Sequence, residues 1–243
     1  MVFEIERELG EALSSARASG DAALARSCEL SAMPGSDGAW SVDVQADAVA
    51  AAFAEMHRLV NDTSVPIERA RQLRMYLAWK GHVESQFFLA ENFRLGRNIA
   101  KDISLSRYWL EKAAEGGDVA AQNNLGVMYA DGIGGPRDMA KALYWYGRSA
   151  EGGCDVAKGN LGFNIAMGNG TRRNYLVAAK LLKESLKRDP FNRRNHLILA
   201  ECYEHGVGGR NGLRLAIRHY QEASDFGSLE ARAALRRLAG QPA

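Results

Sequence analysis

A pattern of about 36 residues recurs along this chain, and it constrains the fold more than any other feature. Residues 119–153 read VAAQNNLGVMYADGIGGPRDMAKALYWYGRSAEGG, two amphipathic helical stretches joined by a glycine turn. The leucines Leu89, Leu125, Leu161 and Leu199 follow one another at steps of 36, 36 and 38. Four places after each stands Phe93, Tyr129, Ile165 or Tyr203, and the turn glycines are Gly96, Gly132, Gly168 and Gly206. The second helices align as 106–117, 141–153, 178–189 and 215–227, and the two extra residues of the third step are expected in the loop 189–195. A period of this length marks supersecondary units that cannot bury their apolar faces alone and therefore stack. No alternating apolar–polar run stands out, so no sheet is expected.

The pattern carries its own packing logic. Small residues at Ala90, Gly126, Gly162 and Ala200 let paired helices approach, and Trp109, Tyr144, Trp145 and Tyr220 are the large residues expected to fill the space between layers. Phe53 lies 36 before Leu89 and Gly81 lies 36 before Gly117, so 45–81 reads as a degenerate copy of the unit. Leu235 lies 36 after Leu199, and Arg232, Arg236 and Arg237 would face outward from a capping helix in 228–243. Ahead of the repeats, 1–44 reads as a helical extension with Phe3, Ile5, Leu9 and Leu13 at helical spacing, followed by a turn-rich loop at 33–41. The expected organisation is therefore 1–44 extension and loop, 45–81 degenerate helix pair, 82–227 repeats, and 228–243 cap and tail.

Composition narrows the function classes. A net charge of +2 conceals an acidic first part and a basic later one: residues 1–66 hold 4 Lys/Arg against 11 Asp/Glu, and 171–218 hold 11 against 4. Such polarity steers encounter with a charged partner more than it sets affinity, and solvated helix faces give the same pattern. Cys28, Cys154 and Cys202 are an odd, widely spaced set with no CxxC pair, which suits a reducing compartment. The first residues, MVFEIERELG, are acidic and lack the apolar run of a secretory signal, and no stretch reaches the length of a membrane span. A cytoplasmic location without membrane association is expected.

No motif assembles a catalytic set. GIGG at 132–135 and GVGG at 206–209 lack the Lys-Ser/Thr ending of a phosphate loop and recur at equivalent places, so they read as turns. His196, Cys202 and His205 fall on one helix, with Cys202 and His205 three apart, but a third ligand is not evident. Cys154 follows a Gly-Gly turn at a helix start, where a thiol pKa can fall, yet no histidine accompanies it and a packing role is expected. RRNY at 172–175 and NRRNH at 192–196 offer positive charge beside aromatic or imidazole rings; in a near-neutral chain they read as surface, and no nucleic acid is expected. No cofactor and no metal are expected.

The stretch LGVMYADGIGGPRDMAKALYWYGRSAEGG resembles the unit of the Sel-one-like repeat (SLR) family, a branch of the tetratricopeptide superfamily. Ala121, Leu125, Gly126, Tyr129, Gly132, Gly134, Asp138, Lys141, Ala142, Trp145, Tyr146, Ala150, Glu151 and Gly153 carry the likeness. It extends well over 85–117, weakens in 157–189, and covers about 82–238; DPFN at 189–192 is similar to the linker of ordinary tetratricopeptide repeats. The resemblance implies an all-α fold, an α/α superhelical repeat solenoid here preceded by an N-terminal helical extension, whose first helices line a concave groove. It implies a non-enzymatic adaptor that holds a protein partner, and the absence of paired cysteines sets this chain apart from the family's secreted cysteine-rich branch.

In that type of fold, first-helix positions off the packing stripe line the groove. By register with Leu125 these are Asn123, Val127 and Asp131; then Phe87, Glu91 and Leu95; then Gly159, Phe163 and Met167; and last Leu197, Glu201 and His205. Phe87, Val127, Phe163 and Met167 would form an apolar strip flanked by charge, with Phe87, Phe163 and Met167 as anchors. The expected function is a protein-binding scaffold. The alternatives are a bacterial immunity protein that neutralises a toxin effector, and a hydrolase whose reactive group is Cys154 or the His196–Cys202–His205 helix.

Overall fold

The computed structural model describes residues 74–240, apart from Tyr76 and Asn98. The expected extension at 1–44 and most of the degenerate copy at 45–81 lie outside the described residues. The described residues are all-α, a series of repeated helix pairs: α1 (Val83–Leu95), α2 (Ile103–Glu115), α3 (Val119–Asp131), α4 (Met139–Glu151), α5 (Asp155–Met167), α6 (Tyr175–Arg188), α7 (Arg193–Glu204), α8 (Gly212–Asp225) and α9 (Leu229–Leu238). A single 3-10 turn, Gly209–Asn211, precedes α8. The chain divides into two compact units between Arg137 and Asp138. The division falls inside the repeat 119–154, between its two helices.

Helix starts follow from short polar residues at fixed register. Asp102, Asp138 and Asn174 cap α2, α4 and α6, each accepting a hydrogen bond from the backbone N–H three residues on. Asp118 and Asn192 do the same for α3 and α7, and Ser228 for α9. Each such cap stabilises its helix by about 1 kcal/mol. Cys154 and Asn211 hold the corresponding places before α5 and α8 and make no side-chain cap bond.

Within the first unit α1 packs on α2 and α2 on α3. Leu89, Phe93, Trp109, Leu110 and Leu125 are buried there. The turn between α3 and the unit's end is held from below: a Cβ on Gly134 would stand 2.6 Å from the Ile103 carbonyl oxygen, and the residue's φ is +71°. Only glycine reconciles that approach with that backbone angle. Arg107, itself buried, lays its guanidinium 3.9 Å from the Tyr129 ring centroid and reaches the carbonyls of Ile133 and Pro136 at 3.4 and 3.3 Å.

Within the second unit consecutive helices pack in order from α4 to α9, and α5 also touches α7. Ala166, Leu182, Leu199, Cys202, Tyr220 and Ala231 belong to one buried cluster. Gly162 sits against α6, where a Cβ would meet Leu182 Cγ at 3.0 Å, so the small residue does set a helix contact. Two expectations are corrected. Tyr144 does not fill an interlayer space: it is 54% exposed and lies edge-on to Trp145, while Tyr146 is the buried ring of α4. The two extra residues of the third step do not both lie in the loop. α6 has 14 residues where α2 and α4 have 13, so one lengthens the helix to Arg188 and the other enters the turn.

Candidate functional site

The first-helix residues expected to meet a partner fall into the two units. In the first, Phe87 and Val127 are half-buried on α1 and α3, Asn123 is half-buried, and Asp131 and Leu95 are exposed. Glu91 is tied by a 2.6 Å ion pair to Arg94. In the second unit the structure brings several of them to one place. Leu197 and Glu201 on α7 and His205 at its C-cap, spaced four apart, line a pocket of about 1070 Å³ whose other walls include Tyr220, Ala234 and Arg237. Phe163 and Met167 on α5 pack from the edge of the same apolar cluster, and the Arg194 guanidinium lies 3.6 Å from the Phe163 centroid. Gly159, placed on this face by register, is not on it. It is buried, and a Cβ there would meet Asn195 Nδ2 at 2.8 Å and Ser185 Oγ at 3.0 Å.

The pocket's electrostatics are mixed. Burial holds the Glu201 carboxyl above its ordinary range, partly offset by His205. Glu204 behaves oppositely: a hydrogen bond from Arg237 holds its carboxyl low, Tyr220 contributing. Arg237 lies 2.7 Å from Glu204 and the Tyr220 hydroxyl donates to Glu204 at 2.8 Å, so α7, α8 and α9 are joined at the pocket wall. His205 is exposed and stacks on Tyr175, ring centroids 4.5 Å apart.

The residues read as possible chemistry are dispersed. Cys202 is fully buried and its thiol is pushed up to about 12, chiefly by desolvation. A thiolate is the reactive form, so this group is inert at neutral pH. Cys154 is half-buried at the α5 N-cap, and Cys28 lies outside the described residues. His196 turns away from Cys202 and His205 and meets His219 and Glu222 of α8. Burial lowers the His219 pKa, outweighing the attraction of Glu222. The sequence pattern does not single out His219 and Glu222, because their partner lies on another helix. The available signal was the register, which places His219 where α2 and α4 carry Trp109 and Trp145.

The basic clusters also resolve into structure. Arg173 Nε donates to the Met167 carbonyl at 3.0 Å, as Arg137 Nε, 36 residues earlier, donates to Ala130 at 2.9 Å. Both close the turn after a first helix. Arg193 reaches the Gly227 carbonyl at 3.4 Å. Among the described residues no helix is long and apolar enough to cross a membrane.

Repeated, capped helix pairs with glycine turns at constant register define an α/α repeat protein. The Sel1 repeat model matches residues 83–118, 119–154, 157–189 and 196–227. The chain belongs to the Sel1 repeat family, whose repeats generally mediate protein–protein interaction. Among solved structures it is similar to a Sel1 repeat protein from Oxalobacter formigenes, at 26% identity over 82% of this chain and 83% of that one, with a TM-score of 0.64. It is also similar to a protective antigen present in uropathogenic Escherichia coli strains that displays an SLR fold, at 25% identity over 79% of this chain, with a TM-score of 0.62. This chain spans 41% of that second protein. No curated protein matches the sequence significantly.

Proposed function

We propose that this protein is a non-enzymatic scaffold that holds a segment of a protein partner against α5 and α7, with the pocket under α9 as the anchoring point. The observation that carries the reading is the convergence of Leu197, Glu201 and His205 on one cavity of about 1070 Å³. A pocket of that size accommodates a few side chains of a peptide. Leu197, Ala234 and the aliphatic stems of its charged walls suit an apolar anchor, and the half-buried Glu201 suits a donor or cation beside it. Phe163 and Met167 extend the apolar surface, and Phe87, Val127 and Leu95 with Glu91, Asn123 and Asp131 are the counterpart positions of the first unit.

The test is capture of partners from native lysate on wild type, Leu197→Asp, Phe163→Asp and Phe87→Asp, each shown folded by circular dichroism. The expected result is a protein retained by wild type and lost from Leu197→Asp and Phe163→Asp. Equal retention by all four baits overturns the assignment of this face. A toxin effector as the retained protein would give the scaffold a neutralising role.

A further inference from the structure

One buried polar position holds glutamine in two successive repeats and then changes. Gln86 Nε2 donates to the Ala78 carbonyl at 2.9 Å, and Gln122 Nε2, 36 residues on, donates to Ala114 at 3.1 Å. The register then reaches Lys158 and, two residues late, His196. His196 makes the same kind of bond as the glutamines, with its Nε2 2.9 Å from the Pro190 carbonyl oxygen. A carbonyl only accepts, so Nε2 carries the proton and a neutral ring presents a lone pair at Nδ1. Such an anchored ring is how metal-binding histidines are oriented.

The second departure lies on α8, where His219 takes the register of Trp109 and Trp145. Its Nδ1 is 3.0 Å from His196 Nδ1. Glu222, one turn on, places Oε2 2.9 Å from His196 Nδ1 and 3.0 Å from His219 Nδ1. Arg218 Nε binds the other carboxylate oxygen at 3.2 Å, which leaves Oε2 to the histidines. The side chains are 7%, 16% and 30% exposed for His196, His219 and Glu222. The Tyr203 ring stacks on His219 and the Phe226 ring flanks His196, so one side is apolar.

With both imidazoles neutral and Glu222 ionised, protons and lone pairs do not balance in this cluster. Three donor atoms form a triangle with edges of 2.9–3.0 Å. With His196 protonated at Nε2, a single N–H on His219 Nδ1 satisfies at most two edges. The remaining edge sets the His196 lone pair against a carboxylate oxygen at 2.9 Å. A cation, either a metal ion or an added proton, closes that edge. The preceding repeat supplies one itself: at the same register Lys158 pairs with Glu184 at 3.6 Å. In the last repeat two imidazoles replace that ammonium. An ion about 2.0–2.1 Å from each donor, the bond length zinc takes with nitrogen and oxygen, fits about 1 Å above this triangle.

We propose that His196, His219 and Glu222 form a site for a divalent transition-metal ion of the zinc class, tying α7 to α8. Two imidazoles and one carboxylate suit zinc, cobalt or nickel and not the all-oxygen preference of calcium or magnesium. Three protein donors leave coordination positions for water or for a side chain brought by another molecule. The proposal stands apart from the scaffold reading, because no partner is needed for the ion to bind.

The experiment uses the full chain without a polyhistidine tag, stripped with chelator and titrated with Zn²⁺ by calorimetry and with Co²⁺ by visible absorption. Wild type is expected to bind one equivalent, to show cobalt ligand-field bands, and to be unaffected by excess Mg²⁺ or Ca²⁺. His219→Ala and Glu222→Gln are each expected to weaken Zn²⁺ binding by roughly 100-fold or more. Glu222→Gln keeps the side-chain shape, so it decides the matter if His219→Ala fails the circular dichroism check. Absence of binding by wild type overturns the proposal, as does unchanged affinity in the folded variants, which places the ion elsewhere. Nitrogen-15 spectra of ion-free and Zn²⁺-treated wild type that both show His196 protonated at both nitrogens would overturn it too, a proton serving as the cation.

Discussion

The turn after α3 and the turn after α7 share a glycine pattern, GIGG and GVGG, yet they pack differently. After α3, Gly134 presses on the Ile103 carbonyl at the start of α2, and 36 residues later Gly170 presses on Met139, Cβ first, at the start of α4. The next residue in that series is Tyr175, whose ring stacks on His205. Gly208 turns back onto its own helix instead, with Tyr203 Cδ1 3.3 Å from where a Cβ would be. The chain then enters the 3-10 turn, and α8 starts without a side-chain cap bond. An inner turn is held by its neighbour; the last one is held by itself.

The largest test of this contrast is a pair of glycine substitutions. Gly134→Ala adds both a backbone collision and left-handed strain, and is expected to cost about 3 kcal/mol by urea unfolding. Gly208→Ala carries left-handed strain as well, at φ +92°, but meets side chains alone, the Tyr203 ring and Leu215 Cδ1 at 3.3–3.4 Å, and about 1 kcal/mol is expected. Equal costs would mean that the inner turn is not held by α2.

Two arginines sharpen the comparison. Arg107 is buried under the inner turn, and Arg107→Ala, which leaves the Ile133 and Pro136 carbonyls short of a donor, is expected to cost about 2 kcal/mol. Arg237 makes a 2.7 Å ion pair with Glu204, but its side chain is 60% exposed. Arg237→Ala is expected to leave the melting temperature nearly unchanged, and what effect it has should vanish in high salt. A large loss from Arg237→Ala would make the terminal contact as structural as the inner one.

A smaller effect of opposite sign is expected at Ser106. Its hydroxyl is buried without a partner among the described residues, while the same register holds Ala142, Ala178 and Ala216, all fully buried. Ser106→Ala should therefore stabilise the protein by about 1 kcal/mol, read from the urea midpoint at constant slope.

The smallest expected effect is in acid. Glu204 is held below its ordinary value of 4.5 by Arg237. A carboxyl with a lowered folded-state pKa contributes stability above its unfolded value that is lost as pH falls through the folded one. The protection of α9 amides, corrected for the pH dependence of intrinsic exchange, should thus fall below about pH 4.5 before that of α3, and Glu204→Gln should abolish that fall between pH 7 and pH 3. Unchanged corrected protection in α9 across that range would show that the carboxylate does not hold the helix.

The period of 36, the all-α class and the glycine turns were legible in the sequence, because each depends on neighbours within one or two helical turns. Family membership followed from the same residues. Leu197, Glu201 and His205 were legible as one face since i, i+4 spacing suffices to align them. Gly159 was misplaced on that face because its burial is decided by Asn195 and Ser185, 36 and 26 residues away. Tyr144 was misplaced because neighbouring residues in W-Y-type pairs share composition but not direction. The pocket under α9, the inner docking of Gly134 and the meeting of His196 with His219 and Glu222 belong to the tertiary structure alone. Each requires side chains from different helices to arrive at one point, and helical periodicity fixes the direction of a side chain without saying what the next helix sets opposite it.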